Sequence, residues 1–528
     1  MKSALICGIV VFGTVFGCTR PSWSAPIHDA AGEGQIATVR RLLDADSSLL
    51  NAEDESRRTP LHVAAQNGRK DVVEFLLSRG ANLKGTDTRG WTALHCAADD
   101  NHKEVADMLM AKGAGLDIFA ACGLGMKIEV EAFLSRDPAL VRATLADGRT
   151  PLFWAACGGH KEVVDLLLAN QADVRAVSKK RATPLHEAAN GGWTEIAAIL
   201  IEKGADINAR SDLDRTSLHA ALIKDQRDVA VLLVSKGADV RAKDTSGWTA
   251  LHMVMQKDMA DLLISHGAEV NAVSASGRTP LHVAVTKDYR DVVECLVAKG
   301  GDVRAKDKDG WTSLHGARSR EVAESLIAKG ADVNAQAKDG LRPLSAVAFR
   351  GNKDVAGVLI DKGADVRAKD EKGQTSLHYA RSRDTAELLI AKGTDPNIRD
   401  SGGQTPLFNA CCFGLADVAE LLIAKGADVN AADNKHNVPL QWAMSADKMD
   451  LVRLLVDKGA DVNVTGPLGR TALHLAAHDD RLEMAELLIA KGAKVNALDA
   501  IGKTPLAWAI KFEHPRIADL LRKHGGKE

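Results

Sequence analysis

The stretch Arg58-Thr59-Pro60-Leu61-His62-Val63-Ala64-Ala65 recurs along the chain with small changes and decides its fold. Thr is a favoured N-cap because its hydroxyl accepts a hydrogen bond from a free amide of the first helical turn. Pro suits the first helical position, where its missing N–H costs nothing. Leu begins the buried face of the helix. The paired Ala residues have small side chains, which keep one side of the helix free of bulk. Each copy therefore predicts the start of a helix that a neighbouring helix can approach closely.

Copies of this stretch return at a nearly constant interval of about 33 residues, measured between the motif Leu or its Ile substitute. The sixteen positions are Ile27, Leu61, Leu94, Ile118, Leu152, Leu185, Leu218, Leu251, Leu281, Leu314, Leu344, Leu377, Leu407, Leu440, Leu473 and Leu506. A sustained period of this length indicates a stack of repeats rather than several globular domains.

The sequence resembles the ankyrin repeat family, whose unit has about 33 residues and carries Thr-Pro-Leu-His-x-Ala. The resemblance covers roughly residues 26–525. It implies an all-α solenoid of about 16 units, each a helix-turn-helix with a β-hairpin tip. Terminal units depart from the pattern, as capping repeats do.

The charge balance of the chain argues against nucleic acid or an anionic membrane as its partner. Lys and Arg total 68 against 70 Asp and Glu, a formal net charge of −2, which gives no long-range attraction to either. We therefore expect a protein partner of unknown identity, no nucleic acid and no membrane span.

Residues 1–25 have the layout of a secretory signal peptide, with Lys2 before an apolar run over residues 4–17 and then a short polar segment. The run is shorter than the ~20 residues of an ordinary membrane span. Cleavage near residue 25 is one interpretation. Cys18 as the acylated residue of a bacterial lipoprotein is a second, and an uncleaved apolar N-terminus is a third. The sequence thus predicts an exported protein: periplasmic, secreted or lipid-anchored to the cell envelope.

One unit lacks room for a tip, because Ile118 follows Leu94 much sooner than the usual step between units allows. Two interpretations follow. Either the stack breaks between repeats 1–3 (residues 26–115) and repeats 4–16 (residues 116–528), or it continues without one tip.

A longer period of two repeats spans residues 240–428, which divide into the blocks 240–302, 303–365 and 366–428. In each block the first unit is shorter between its two helices than the second unit, which is full length. The difference is about three residues, nearly one helical turn of 3.6. We therefore expect a shortened first helix that still packs, beginning at Leu251, Leu314 and Leu377.

No set of side chains has the spacing of a catalytic or metal site. The motif His recurs in ten units. Imidazoles one repeat apart, about 10 Å, cannot share a metal whose ligands lie about 2 Å from it. The resemblance implies instead that each His ties adjacent hairpins together by hydrogen bonds. We predict no catalytic residue, no metal ligand and no cofactor, and a protein that is not an enzyme.

Candidate partner-binding side chains lie just before the motif Thr, where three Trp and six basic residues occur. Trp and Arg are the side chains that binding interfaces favour. The main patch is Trp248 and Trp311 with Arg278 between them, and packing on a neighbouring tip is the competing interpretation for each Trp. The candidate residues are Trp91, Arg149, Trp248, Arg278, Trp311, Gln374, Gln404 and Arg470.

The predicted function is a non-enzymatic scaffold that binds a partner protein through its hairpin tips and its concave helix face. The alternative is a secreted effector or enzyme accessory whose active site has no recognisable motif, for example near residues 113–118.

Overall fold

The computed structural model describes residues 26–528, so the predicted leader and its Cys18 lie outside the described residues. Contacts between Cα atoms divide the chain into two compact units, residues 26–245 and residues 246–528. Each unit is a succession of helix pairs. In every pair the first helix begins at a copy of the motif, and the second helix follows a short turn.

Residues 26–245 hold seven helix pairs and two additional 3-10 helices, Ser47–Asn51 and Pro138–Arg142. The α-helices are α1 (Pro26–Glu33), α2 (Ile36–Ala45), α3 (Pro60–Gln66), α4 (Lys70–Ser78), α5 (Ala93–Asp99), α6 (Lys103–Ala111), α7 (Ile118–Gly123), α8 (Lys127–Arg136), α9 (Pro151–Gly158), α10 (Lys161–Ala169), α11 (Pro184–Gly191), α12 (Thr194–Glu202), α13 (Ser217–Ile223) and α14 (Arg227–Ser235).

Residues 246–528 hold nine helix pairs, in which two first helices are the 3-10 helices Ala250–Met253 and Ser313–Gly316. A further 3-10 helix spans Pro467–Gly469. The α-helices are α15 (Lys257–Ser265), α16 (Pro280–Lys287), α17 (Arg290–Ala298), α18 (Arg320–Ala328), α19 (Pro343–Arg350), α20 (Lys353–Asp361), α21 (Ser376–Tyr379), α22 (Arg383–Ala391), α23 (Pro406–Phe413), α24 (Ala416–Ala424), α25 (Pro439–Ser445), α26 (Met449–Asp457), α27 (Ala472–His478), α28 (Leu482–Ala490), α29 (Pro505–Lys511) and α30 (Pro515–Lys523). The described residues thus contain sixteen pairs, and the predicted repeat number is confirmed.

The first helices begin as the motif predicts. Thr59 is the N-cap of α3 in an extended conformation, and Pro60 is the first helical residue. The backbone N–H of Thr59 donates to Nδ1 of His62 at 3.1 Å, so the motif His supplies the return half of a capping box. The motif therefore sets both the start of the helix and the position of its imidazole.

The tips are tight turns, which corrects the prediction of β-hairpins: residues 26–528 contain no strand. In one tip, the N–H of Asp87 donates to the carbonyl of Trp91 at 2.9 Å, and that of Gly90 donates to the carbonyl of Asp87 at 3.0 Å. A single bond, from Thr88 N–H to Ser56 O at 3.0 Å, joins this tip to the preceding one. One bond between neighbouring tips is too few for a ladder of paired strands.

The predicted shortening of three first helices is confirmed. Ala250–Met253, Ser313–Gly316 and α21 have four residues each, whereas α16 and α19 have eight. Their second helices α15, α18 and α22 keep nine residues. The deletion therefore removes the last turn of the first helix and leaves the outer packing of the pair intact.

Helices α5 and α7 pack side by side across residues 113–118, as neighbouring first helices do elsewhere in residues 26–245. This contact favours the interpretation of a continuous stack that lacks one tip. The grouping into residues 26–115 and 116–528 stays a prediction.

Candidate functional site

Motif histidines tie their first helices to the tip that follows. Nε2 of His62 lies 3.1 Å from the carbonyl oxygen of Trp91, the last residue of the next tip. His186, His282 and His474 make the same bond to the equivalent residues of their units. Burial lowers the pKa of His62, so its imidazole is neutral near pH 7. The column of histidines is therefore structural, as the resemblance implied.

His95 has no such tip after it, because its unit lies before the shortened step from Leu94 to Ile118. Its Nε2 lies 3.0 Å from a carboxylate oxygen of Asp117, the N-cap of α7. Burial acts to raise the pKa of Asp117, but the bonds from His95 and from backbone amides outweigh it and lower the pKa. A side chain thus replaces the missing backbone carbonyl.

Trp91 fills the space of the missing tip. Its side chain has no exposed surface, and its ring centroid lies 4.8 Å from that of Trp154. The guanidinium of Arg89 lies 3.6 Å from the Trp91 ring centroid, and that of Arg149 lies 4.8 Å away. The Nε1–H of Trp91 donates to Asp147 at 3.1 Å. Cation–π contacts and a hydrogen bond therefore hold the ring from several sides.

The charges around Trp91 are paired. Arg149 Nη1 donates to Asp99 at 2.7 Å, and Arg149 Nε lies 3.5 Å from Asp147. Cys157 lies 3.7 Å from Asp99, and burial raises the pKa of its thiol well above the ordinary value. A protonated thiol is a weak nucleophile, so this cluster does not present an activated cysteine.

One of the candidate partner-binding residues is therefore corrected. Trp91 has no surface for a partner, because it fills the gap left by the missing tip. Arg149 keeps 22% of its side chain exposed, and a partner contact there stays a prediction. The competing interpretation of packing against a neighbouring tip holds for Trp91.

The main predicted patch lies at its expected tips. Trp248 and Trp311 are half-buried, with ring centroids 5.8 Å from that of His252 and 5.0 Å from that of His315, respectively. Arg278 lies 3.6 Å from Asp307 and keeps 40% of its side chain exposed. All three retain some surface, and a partner contact there stays a prediction.

The remaining candidates are half-buried and contact the next tip, their own tip or the next first helix. Gln374 Nε2 donates to Asp400 at 3.0 Å, and the backbone N–H of Gln404 donates to the same carboxylate at 2.8 Å. The Arg470 guanidinium lies 4.0 Å from the ring centroid of Trp508. Their role in binding also stays a prediction.

Three arginines that the sequence analysis missed lie at the ends of consecutive first helices. Arg350 ends α19, while Arg318 and Arg381 follow the short helices Ser313–Gly316 and α21. None of them forms an ion pair with another residue of the described chain. We call Arg318, Arg350 and Arg381 the arginine row. A comparison of the two-repeat blocks would have found part of it, since Arg318 and Arg381 occupy equivalent positions.

No group of three His, Cys, Asp or Glu side chains in residues 26–528 is placed to hold a metal ion. Over the same residues, no helix has the length and apolar character required to span a membrane.

Family models for ankyrin repeats match most of the chain. The model described as ankyrin repeats in three copies matches residues 27–120, 170–244, 218–307, 256–337, 313–400, 381–466 and 450–528, and the single-repeat model matches residues 147–179.

Curated relatives match over short segments. The human transient receptor potential cation channel subfamily A member 1 is 48% identical over 69 residues, which is 13% of this chain and 6% of that protein. The serine/threonine-protein kinase VIK of Arabidopsis thaliana is 45% identical over 65 residues, 12% of this chain and 14% of that protein. This chain therefore spans only a small part of the length of either relative.

Among solved structures, the ankyrin repeat domain of Bcl-3 aligns with 40% of this chain and 98% of its own, at 31% identity and a TM-score of 0.34. Paired helices, capping-box histidines and linked tips define a helical repeat protein. The family matches make the assignment specific: the chain belongs to the ankyrin repeat family.

Proposed function

We propose that this protein is a non-enzymatic scaffold that binds a partner protein through its tips and its first helices. Ankyrin repeats are protein–protein interaction modules, and stacked repeats create extended binding surfaces. The observation that carries the proposal is the alternation of short and full first helices within residues 246–428. A helix of four residues beside helices of eight ends about 4–6 Å lower, at about 1.5 Å per residue of α-helix and about 2.0 Å per residue of 3-10 helix. Recesses of this kind suit the side chains of a partner.

The tips beside these recesses supply suitable contact residues. Trp248 and Trp311 precede two of the short helices, and Arg278 precedes the full helix between them. All three are partly exposed. Aromatic and Arg side chains at the centre of an interface often contribute most of its binding energy.

We also propose that the protein is exported, with its mature N-terminus near residue 25 or at a lipid-modified Cys18. The charged residue, apolar run and small polar segment of residues 1–25 support this proposal. N-terminal sequencing of native material tests it, and an intact Met1 terminus on cytosolic protein would contradict it.

A photo-crosslinking map tests the scaffold proposal. A benzophenone amino acid replaces Arg278 or Gln374 at the tips in two variants, and replaces the exposed Ile128 of α8 or Val231 of α14 in two controls. The expected result is a crosslink to the same protein from the tip positions and none from the second-helix positions. Crosslinks from α8 and α14 alone, or equal crosslinking everywhere, would contradict the proposal.

A further inference from the structure

Arg350 caps a short helix with only part of its guanidinium. Nη2 donates to the carbonyls of His315 at 2.6 Å and Ala317 at 3.2 Å, which the shortened helix Ser313–Gly316 leaves without helical partners. A guanidinium has five N–H donors. Nε and Nη1 of Arg350 make no hydrogen bond to residues 26–528. Three donors thus remain for a ligand.

Arg318 adds a second positive charge beside Arg350. Its side chain is exposed and has no hydrogen bond or ion pair within the described residues. Burial and the nearby charge of Arg318 lower the pKa of Arg350 to about 10, which leaves Arg350 protonated at neutral pH. Two like charges next to each other repel, and a bound anion would relieve that repulsion.

Arg381 is held in place by two aromatic rings. Its guanidinium carbon lies 4.2 Å from the ring centroid of Phe349 and 4.3 Å from that of Phe413. The guanidinium makes no hydrogen bond to the described residues. Stacking fixes the plane of the group and leaves its N–H edge for a planar, bidentate acceptor such as a carboxylate.

Neighbouring charges show that unpaired arginines are not general in this part of the chain. Arg320 pairs with Glu324 at 2.8 Å, and Arg383 pairs with Glu420 at 2.9 Å. Each lies two residues after a member of the arginine row. Asp288, near Arg318 in the fold, is already engaged by Ser319. The row therefore carries three positive charges that this part of the chain leaves unneutralised.

We propose that the arginine row is a binding site for an extended acidic segment of a partner protein, with one carboxylate bound by each guanidinium. This inference rests on the proposed scaffold function. Arg318 and Arg381 occupy equivalent positions two repeats apart, which is about 20 Å when consecutive first helices pack about 10 Å apart. Six residues of polyproline II chain advance about 19 Å. A segment with Asp or Glu at every third position therefore places one carboxylate at each of these two guanidinia and one between them.

Two other occupants fit less well. Residues 1–25 contain no Asp or Glu, so this part of the chain lacks the charges that the row requires. A base of a nucleic acid strand cannot stack on the sides of Phe349 and Phe413 that face Arg381, because the guanidinium covers them.

The test uses the full chain and a fluorescein-labelled peptide of four Glu-Pro-Pro repeats, with binding followed by fluorescence anisotropy. The variant Arg318→Met/Arg381→Met removes two members of the row and leaves Arg350 to cap the short helix. The control Arg320→Met/Arg383→Met makes the same change in charge two residues away. We expect at least a tenfold loss of affinity in the first variant and less than a twofold change in the control.

A second peptide of the same composition, with its four Glu residues consecutive, tests the spacing, and a 12-nucleotide oligothymidine tests the class of ligand. Weaker binding of both probes supports the proposal. Equal losses in the two double variants, no binding of the repeating peptide, equal binding of the clustered peptide, or tighter binding of oligothymidine would each overturn it.

The crosslinking map separates this inference from the scaffold proposal. If the tip positions crosslink a partner while the peptide fails to bind, the acidic-segment inference fails and the scaffold function stands. If the tips crosslink nothing and second-helix positions do, the scaffold proposal itself fails.

Discussion

The repeat loses residues in two ways, and the two regions deal with the loss differently. Between Leu94 and Ile118 a whole tip is absent, and Trp91, Arg149 and Asp117 take over its space and its hydrogen bonds. Along residues 313–381 single helical turns are absent from two first helices. Arg318 and Arg381 follow these short helices and Arg350 bonds to the end of one of them, and none of the three forms an ion pair with a carboxylate of the described residues. Where the tip is absent, the side chains around Trp91 pack into the core. Where helical turns are absent, the surface is open and positively charged.

The difference follows from what each deletion exposes. A missing tip leaves the buried His95 without the backbone carbonyl that its equivalents bind, and an unsatisfied buried polar group costs ~1–3 kcal/mol. Asp117 must therefore meet it directly. A missing helical turn exposes carbonyls at a helix end, where a side chain such as Arg350 or water can satisfy them. Only the first deletion requires a tightly packed replacement.

The largest effect is expected from Trp91→Ala. Loss of a fully buried Trp typically costs about 3–5 kcal/mol, and here Arg89 and Arg149 also lose their stacking partner. Because repeats couple mainly to their neighbours, hydrogen exchange of the full chain should show faster exchange around residues 85–160. Unchanged exchange there would mean that Trp91 does not stabilise the region that lacks a tip.

A smaller effect is expected from removal of a paired charge. Arg149→Met leaves Asp99 without its cation and should cost about 2–3 kcal/mol, below the usual figure for a broken buried pair because Arg149 is partly exposed. Arg318→Met removes a side chain without partners and should change stability by less than ~0.5 kcal/mol. Urea denaturation of both variants measures this contrast, and equal losses would remove the distinction between the regions.

The repeat number and the shortened helices could be predicted from the sequence, because each depends on local signals. These signals are the Thr-Pro start and the alternation of shorter and longer steps between units. The role of Trp91 could not be read in the same way. Trp91, Trp248 and Trp311 occupy equivalent tip positions. Only Trp91 precedes the missing tip, and contacts with Asp147 and Trp154, far later in the chain, bury it. The absence of ion pairs at the arginine row could not be predicted either, because it depends on which side chains lie nearby in the folded structure.

Acid should destabilise the region around His315 by about 1–2 kcal/mol on going from pH 7 to pH 5, because the folded and unfolded states bind its proton with different pKa values. Burial lowers the pKa of His315 to about 4, below its ordinary value of 6.5. The folded state therefore binds a proton less readily than the unfolded state, and stability is lost as the pH falls from about 6.5 toward 4. Protonation of Nδ1 would also end its acceptance of the Thr312 N–H, a bond of 3.1 Å.

The chain itself supplies the control for this pH effect. Gln441 occupies the same slot, accepts from the Val438 N–H at 3.3 Å and donates to the Arg470 carbonyl at 3.2 Å, without a titrating group. Urea denaturation at pH 7 and pH 5 should therefore show a smaller pH dependence for His315→Gln than for the native chain. Identical pH dependence would exclude His315 as the source.

The smallest effect is expected from an extension of the arginine row by Met255→Arg. Met255 precedes Arg318 by one two-repeat block and occupies the equivalent place after the short helix Ala250–Met253. It is 41% exposed, so the substitution should leave stability within ~0.5 kcal/mol. An exposed charge pair contributes about 0.2–1 kcal/mol, equivalent to a 1.4-fold to fivefold gain in affinity for a Glu-Pro-Pro peptide lengthened by two repeats. Anisotropy titrations of the native chain and the variant measure it. The same gain with Ser265→Arg, which adds the same charge at the exposed end of α15, would show that general electrostatics and not the extended row causes the change.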